Sequence, residues 1–267
     1  MVVKLILRTD LQRAVCSWGF VIGAVSFCLL GISGVMQNIV SVIRGGSIGQ
    51  LQIGYTMQMM LDALGSDAVL LFLPVLCALP HTAAFVEDFQ SKYYRVYLPR
   101  SGKRQYIGAR LISTIFSGGL AMLAGALLLI LLLAVVFKPM EEPRAQALEV
   151  FAFDYDTYLL DLRWQLAGRV LLLFLSGCFW SCVGGFFACL ILNKYMAYAA
   201  PFILYYVLII LEERYFSAFN MLNPKLWMNP LLTGAGTVGS MALFVTELTL
   251  LMAVAYGLVM TRRMKDA

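Results

Sequence analysis

The chain has 267 residues, of which 61% are hydrophobic, with a mean hydropathy of +0.82 and a formal charge of +5. A water-soluble domain of this length has no core large enough for that apolar share, so a soluble globular protein is excluded and a lipid-facing surface is implied. One histidine and no G-x-x-x-x-G-K-[ST] stretch exclude histidine-rich metal centres and a phosphate-cradling loop within the chain.

Six apolar runs are long enough to span, given that roughly 20 helical residues cross the hydrocarbon core. They are Ala14–Met36, Ala68–Val86, Leu111–Phe137, Val170–Asn193, Tyr195–Leu211 and Gly234–Met260. Backbone polar groups in lipid need partners within the chain, so each run is expected to be a helix. The expected fold is an all-α membrane protein, one transmembrane domain over residues 1–267.

The first run stays uncharged from Ala14 to Ile43, longer than a signal core, and is read as a retained span. Its Gly19/Gly23 pair, like Ala121/Gly125 in the third run, permits close helix packing. The second run carries the single histidine, His81, between Pro80 and Thr82. The fourth and fifth runs are divided only by Asn193 and Lys194, which demands a tight hairpin. Glu212, Glu213 and Arg214 read as an interfacial cluster closing the fifth helix. Glu247 lies deep in the sixth run, where an isolated carboxylate is costly and so a candidate for coupling or for the substrate pathway. All six cysteines fall within the runs and read as small packing residues, with no disulfide framework.

Charge sets the expected orientation. With a cytoplasmic N-terminus, 13 of the 20 basic residues and four of the 15 acids fall on the cytoplasmic side. The opposite side collects Glu141, Glu142, Glu149, Asp154, Asp156 and Asp161 between the third and fourth runs. This asymmetry puts both termini inside. The basic excess then reports topology and anionic lipid, and no nucleic acid.

The segment Phe85–Arg110, FVEDFQSKYYRVYLPRSGKRQYIGAR, is the most charged and aromatic stretch. Read as a helix, Phe85, Phe89, Tyr93 and Val96/Tyr97 form one apolar stripe, with Asp88 and Lys92 as an i,i+4 pair beside Glu87. Pro99 ends that helix, and Ser101 can cap a second one carrying Tyr106 and Arg110 into the third span. Two readings fit: a solvated connection with snorkelling arginines, or a docking element whose aromatics and Arg100 anchor a cytoplasmic partner.

A resemblance favours the second. LILRTDLQRAVCSWGFVIG (Leu5–Gly23) resembles the opening of ABC-2-type transporter permeases. The Phe85–Arg110 segment resembles the stretch after that family's second span, matching at Glu87, Pro99, Arg104, Tyr106 and Arg110 and departing at Ser91, where glycine is common. NMLNPKLWMNP (Asn220–Pro230) resembles the family's short re-entrant outer helices. The resemblance implies an amphipathic surface helix over Val2–Arg13 and a cytoplasmic coupling helix between spans two and three, acting as a stiff lever continuous with span two. It also implies a second permease subunit, homo- or heteromeric, and an ABC ATPase subunit bound through Glu87, Asp88, Phe89, Tyr93, Tyr97, Arg100, Arg104 and Tyr106. No cofactor is expected on this chain; ATP and Mg²⁺ belong to the ATPase. The expected role is export of an amphiphilic cargo across a bacterial cytoplasmic membrane by a non-enzymatic transport subunit. A secondary transporter or channel using Glu247 is the alternative.

Overall fold

The computed structural model describes residues 2–45, 53–95, 102–137, 155–216, 219–228 and 237–265, and among them there is no strand. Among the described residues ten α-helices occur in chain order: α1 (Val2–Val15), α2 (Trp18–Gly34), α3 (Met36–Arg44), α4 (Ile53–Leu64), α5 (Asp67–Ala78), α6 (Ala84–Gln90), α7 (Lys103–Val136), α8 (Tyr155–Ile191), α9 (Met196–Tyr215) and α10 (Val238–Arg263). Two short 3-10 turns, Asn220–Leu222 and Leu226–Met228, lie between α9 and α10.

Among the described residues four helices are long and apolar enough to cross a membrane: α7, α8 from Leu160, α9 and α10. Two further pairs qualify only as bent units, α1 with α2 (49°) and α4 with α5 (52°), which makes four to six candidate spans. The second predicted run is thereby corrected. α5 has 12 residues, about 18 Å of helix, too short alone for a hydrocarbon core of about 30 Å. Its continuation lies upstream, in α4, across the break at Gly65 and Ser66. The first run is also interrupted, at Cys16 and Ser17, where the Ser17 hydroxyl caps α2 by accepting from the Phe20 N–H at 3.1 Å. Cys16 is exposed there, while the other five cysteines are buried within helices. The fourth helix starts earlier than predicted, at Tyr155, so Asp156 and Asp161 belong to α8. The loop from Lys138 to that helix lies outside the described residues.

α8 is the central helix, packed on α7, α10, α9, α4 and α5. Its crossing with α7 is a backbone contact. A Cβ at Gly118 would meet Ser181 Cβ at 2.5 Å and the Cys77 and Gly177 carbonyl oxygens at 2.7 Å; one at Gly177 would meet Gly118 O and Gly119 Cα at 2.9 Å. The predicted Gly19/Gly23 pair serves the same purpose, lying against the Leu79 and Leu76 carbonyls. Trp180 on α8 fills the core with Phe179, Tyr205 and Trp227, its ring centre 6.0 Å from that of Trp227. Trp227 is carried by the second 3-10 turn and donates its indole N–H to Met221 O at 2.8 Å, so the Asn220–Met228 segment packs against α8. Asn229 and Pro230 lie outside the described residues.

The α8–α9 connection is the tight hairpin expected. Leu192 takes a left-handed conformation (φ 56°), and the Asn193 side chain accepts from the Tyr195 N–H at 3.0 Å.

Candidate functional site

One end of the bundle is organised around Arg110, in the second turn of α7. Its side chain is fully buried. A buried guanidinium is tolerated only with anionic and hydrogen-bond-accepting partners around it, and three segments supply them. Nη2 pairs with Asp88 Oδ2 and donates to Ala84 O at 3.0 Å, both on α6. Nη1 lies 3.4 Å from Asp10 Oδ1 on α1 and 2.9 Å from His81 Nε2 in the turn between α5 and α6. A guanidinium has only donors, so His81 Nε2 is the acceptor and the imidazole is neutral, with its proton on Nδ1.

Helical spacing explains how these groups reach one point. Tyr106 precedes Arg110 by four residues on α7, and its hydroxyl donates to the same Asp88 Oδ2 at 3.1 Å. Ala84 and Asp88 are four apart on α6. Asp10 and Arg13 are three apart on α1, and Arg13 lies 3.6 Å from Asp88 Oδ1. The chain can bring His81 and Ala84 close because α5 stops at Ala78 and a turn over Leu79–Ala83 redirects it. The Ser17 hydroxyl donates to Pro80 O at 3.1 Å, tying that turn to the α1–α2 break. Burial holds the Asp10 carboxyl above the usual carboxylate range; Arg110 opposes this, and Asp88 adds to it.

A surface pocket of about 580 Å³ opens beside the cluster, lined by Thr9, Asp10, Arg13, Glu87, Asp88 and Tyr93 among others.

The predicted partner-binding residues divide. Glu87, Tyr93 and Arg104 are exposed. Asp88 and Tyr106 are buried and point inward to Arg110, so they fasten the helices together. Phe89 is half-buried and stacks on Phe85 and Tyr94, with ring centres 6.1 and 5.3 Å away. Tyr97 and Arg100 lie outside the described residues, as do Pro99 and Ser101.

Three expectations about this segment are corrected. The lever is not continuous with the second span, because of the turn at 79–83. Arg110 does not snorkel to water. The single stripe through Tyr93 is broken: α6 ends at Gln90, and Lys92 takes a left-handed conformation (φ 58°). That reversal turns Tyr93 out and brings Tyr94 onto Phe89. It also removes Lys92 from the predicted pairing with Asp88, whose partners are Arg110, Arg13 and Tyr106.

Glu247 lies elsewhere, exposed on α10. Glu212 is buried and accepts from Asn223 Nδ2 at 3.0 Å, joining α9 to the 3-10 turns, while Glu213 and Arg214 are exposed. No cluster of three or more metal-ligating side chains occurs among the described residues.

Asp10 and His81 are the members of the Arg110 cluster that the sequence did not single out as partners. One signal was available: Arg110 directly precedes the apolar run at Leu111, so either it faces water or it must find carboxylates within the fold. No family model, curated protein or solved structure matches this chain.

Proposed function

We propose that the chain is the membrane-spanning permease subunit of an ABC-2-type, ATP-driven exporter. In this reading the six spans are α2, the bent pair α4–α5, α7, α8, α9 and α10. α1 rests on the inner membrane surface, and both termini are cytoplasmic. A second permease subunit completes the pathway, and ATP with Mg²⁺ is bound by a separate ATPase subunit. The cargo is amphiphilic, such as a peptide, a drug-like compound or a lipid-linked molecule, because the helices offer apolar and aromatic surface with scattered hydroxyls.

The observation that carries this reading is the Arg110 cluster. It fastens α1, the α5–α6 turn, α6 and the start of α7 into one charged end. Glu87, Tyr93 and Arg104 stay exposed there for a partner. A displacement applied to α6 by a closing ATPase passes directly into α7 through Asp88, Tyr106 and Arg110. Coupling in this form needs no continuous helix out of α5.

The test is capture of the tagged chain from its native membranes, followed by assay for ATPase activity. The wild type is expected to bring down an ATPase. Tyr93→Ala combined with Arg104→Glu should lower the recovered activity about tenfold with unchanged thermal unfolding, since loss of an aromatic anchor alone commonly costs about 2 kcal/mol or more. Absence of ATPase from the wild-type capture sinks the reading. Ion-gradient-driven uptake by the isolated chain in vesicles, abolished by Glu247→Gln, would establish the secondary-transporter alternative instead.

A further inference from the structure

α10 carries an ionisable group to which the described residues give nothing to bind. Glu247 is about 14 Å along the helix from the Val238 end and about 24 Å from the Arg263 end, within hydrocarbon depth if α10 spans. Its neighbours on the helix surface are Leu243, Leu250, Leu251, Val254 and Leu258, each between 61% and 67% exposed. At 100° per residue these five fall between about 60° on one side of Glu247 and about 40° on the other, so the carboxyl lies near the middle of an otherwise apolar stripe. Among the described residues it makes no hydrogen bond or ion pair. The adjacent hydroxyls are used within the helix: Thr246 donates to Ala242 O at 2.6 Å and Thr249 to Val245 O at 2.7 Å.

The exposed faces of other spans differ. On α2, Val21, Ile22, Val25 and Leu29 are exposed, and on α7, Leu127, Leu131 and Val135, with no charged residue among them. Such faces suit acyl chains. A carboxyl on the α10 stripe does not, because lipid offers it neither a hydrogen bond nor a counter-charge.

We propose that a second copy of this chain covers the stripe, α10 packing on α10 about a two-fold axis along the membrane normal so that the two Glu247 carboxyl groups meet. Three observations favour this occupant. Copies inserted by the same charge rule share one orientation, so their α10 helices run parallel. A two-fold interface sets the centre of a patch against itself, and the centre here is Glu247. Two carboxyl groups joined through a proton satisfy each other without a third component. The spacing also fits a two-stranded seam: Leu243, Glu247, Leu250 and Val254 alternate steps of four and three, with Leu at one heptad position, β-branched Val at the other, and one polar group fixing register. The proposal deepens the two-subunit arrangement above by naming the shared face. It is tested on this chain alone, without ATP or an ATPase, so either reading can fail without the other.

The test is disulfide cross-linking in lipid vesicles. Val254→Cys is placed in a chain whose exposed Cys16 is replaced by Ser, leaving the five buried cysteines in place. Val254→Cys is expected to form a covalent dimer under mild oxidation, and Leu131→Cys on the exposed face of α7 is not. Glu247→Leu should lower the cross-linked fraction on lipid dilution, corresponding to a roughly threefold to tenfold weaker association. Glu247→Gln keeps reciprocal hydrogen bonding and should stay within about twofold of the parent. A monomer at all dilutions, equal cross-linking at Leu131→Cys, or indifference to Glu247→Leu would each overturn the proposal.

Discussion

Arg110 has no water to retreat to, so everything it needs must come from α1, α6 and the α5–α6 turn. Replacing it with Leu leaves Asp88 and Asp10 buried with reduced compensation, and breaking a buried ion cluster from one side costs about 3–5 kcal/mol. Arg110→Leu is therefore expected to lower the melting temperature markedly in detergent; a melting curve unchanged from wild type would contradict the cluster. Asp10 behaves differently. Its folded carboxyl lies above its ordinary range, chiefly through burial. Its contribution to stability is thus fully present below the unfolded value and is lost as pH rises through the folded one. At neutral pH Asp10→Asn should match or exceed wild-type stability, and the gap should close as pH falls towards the unfolded carboxylate value. Melting curves across that range check the sign. The sequence displayed these charges without their partners. Asp88 reads naturally as an i,i+4 partner of Lys92, and only the left-handed turn at Lys92 and the fold of α1 against α7 turn it inward.

At the level of helices, long apolar runs were readable wherever the helix is unbroken, as in α7, α9 and α10. The bends were less legible. Ser17 interrupts a run whose composition stays apolar, and a hydropathy pattern cannot distinguish a bent helix from a straight one. α4 escaped notice because Tyr55, Thr56, Gln58 and Asp62 dilute its apolar residues, although Met59, Met60 and Leu61 are buried. The Ser117–Gly119 stretch lay within an apolar run and gave no hint of its partner. It proved to be the contact between α7 and α8. Gly177→Val should push apart two backbones that touch, and overpacking of this kind typically costs about 1–3 kcal/mol. Loss of folded yield or a lowered melting temperature is expected; Gly108→Ala, with nothing within 4 Å of the added Cβ, is the matched control.

For the molecule as a whole, the charge asymmetry predicts which ends of α8 face which compartment. Trp164 is 70% exposed near one end, and Lys194 is exposed in the hairpin just beyond the other. A cysteine at Trp164, with Cys16 replaced by Ser, should react with an impermeant maleimide from outside intact cells. A cysteine at Lys194 should react only after permeabilisation. The reverse pattern would invert the topology. The meeting of α7 and α8 at Gly118 and Gly177 has a mechanical consequence. Arg110 lies about 12 Å along α7 from Gly118, and the far end at Val136 lies about 27 Å beyond it. A beam resting on that pivot is unequal in its arms, and a small tilt at the charged end is magnified slightly more than twofold at the other. Under the proposed coupling, a see-saw of these proportions would turn a modest push at the Arg110 end into a wider excursion at the Val136 end.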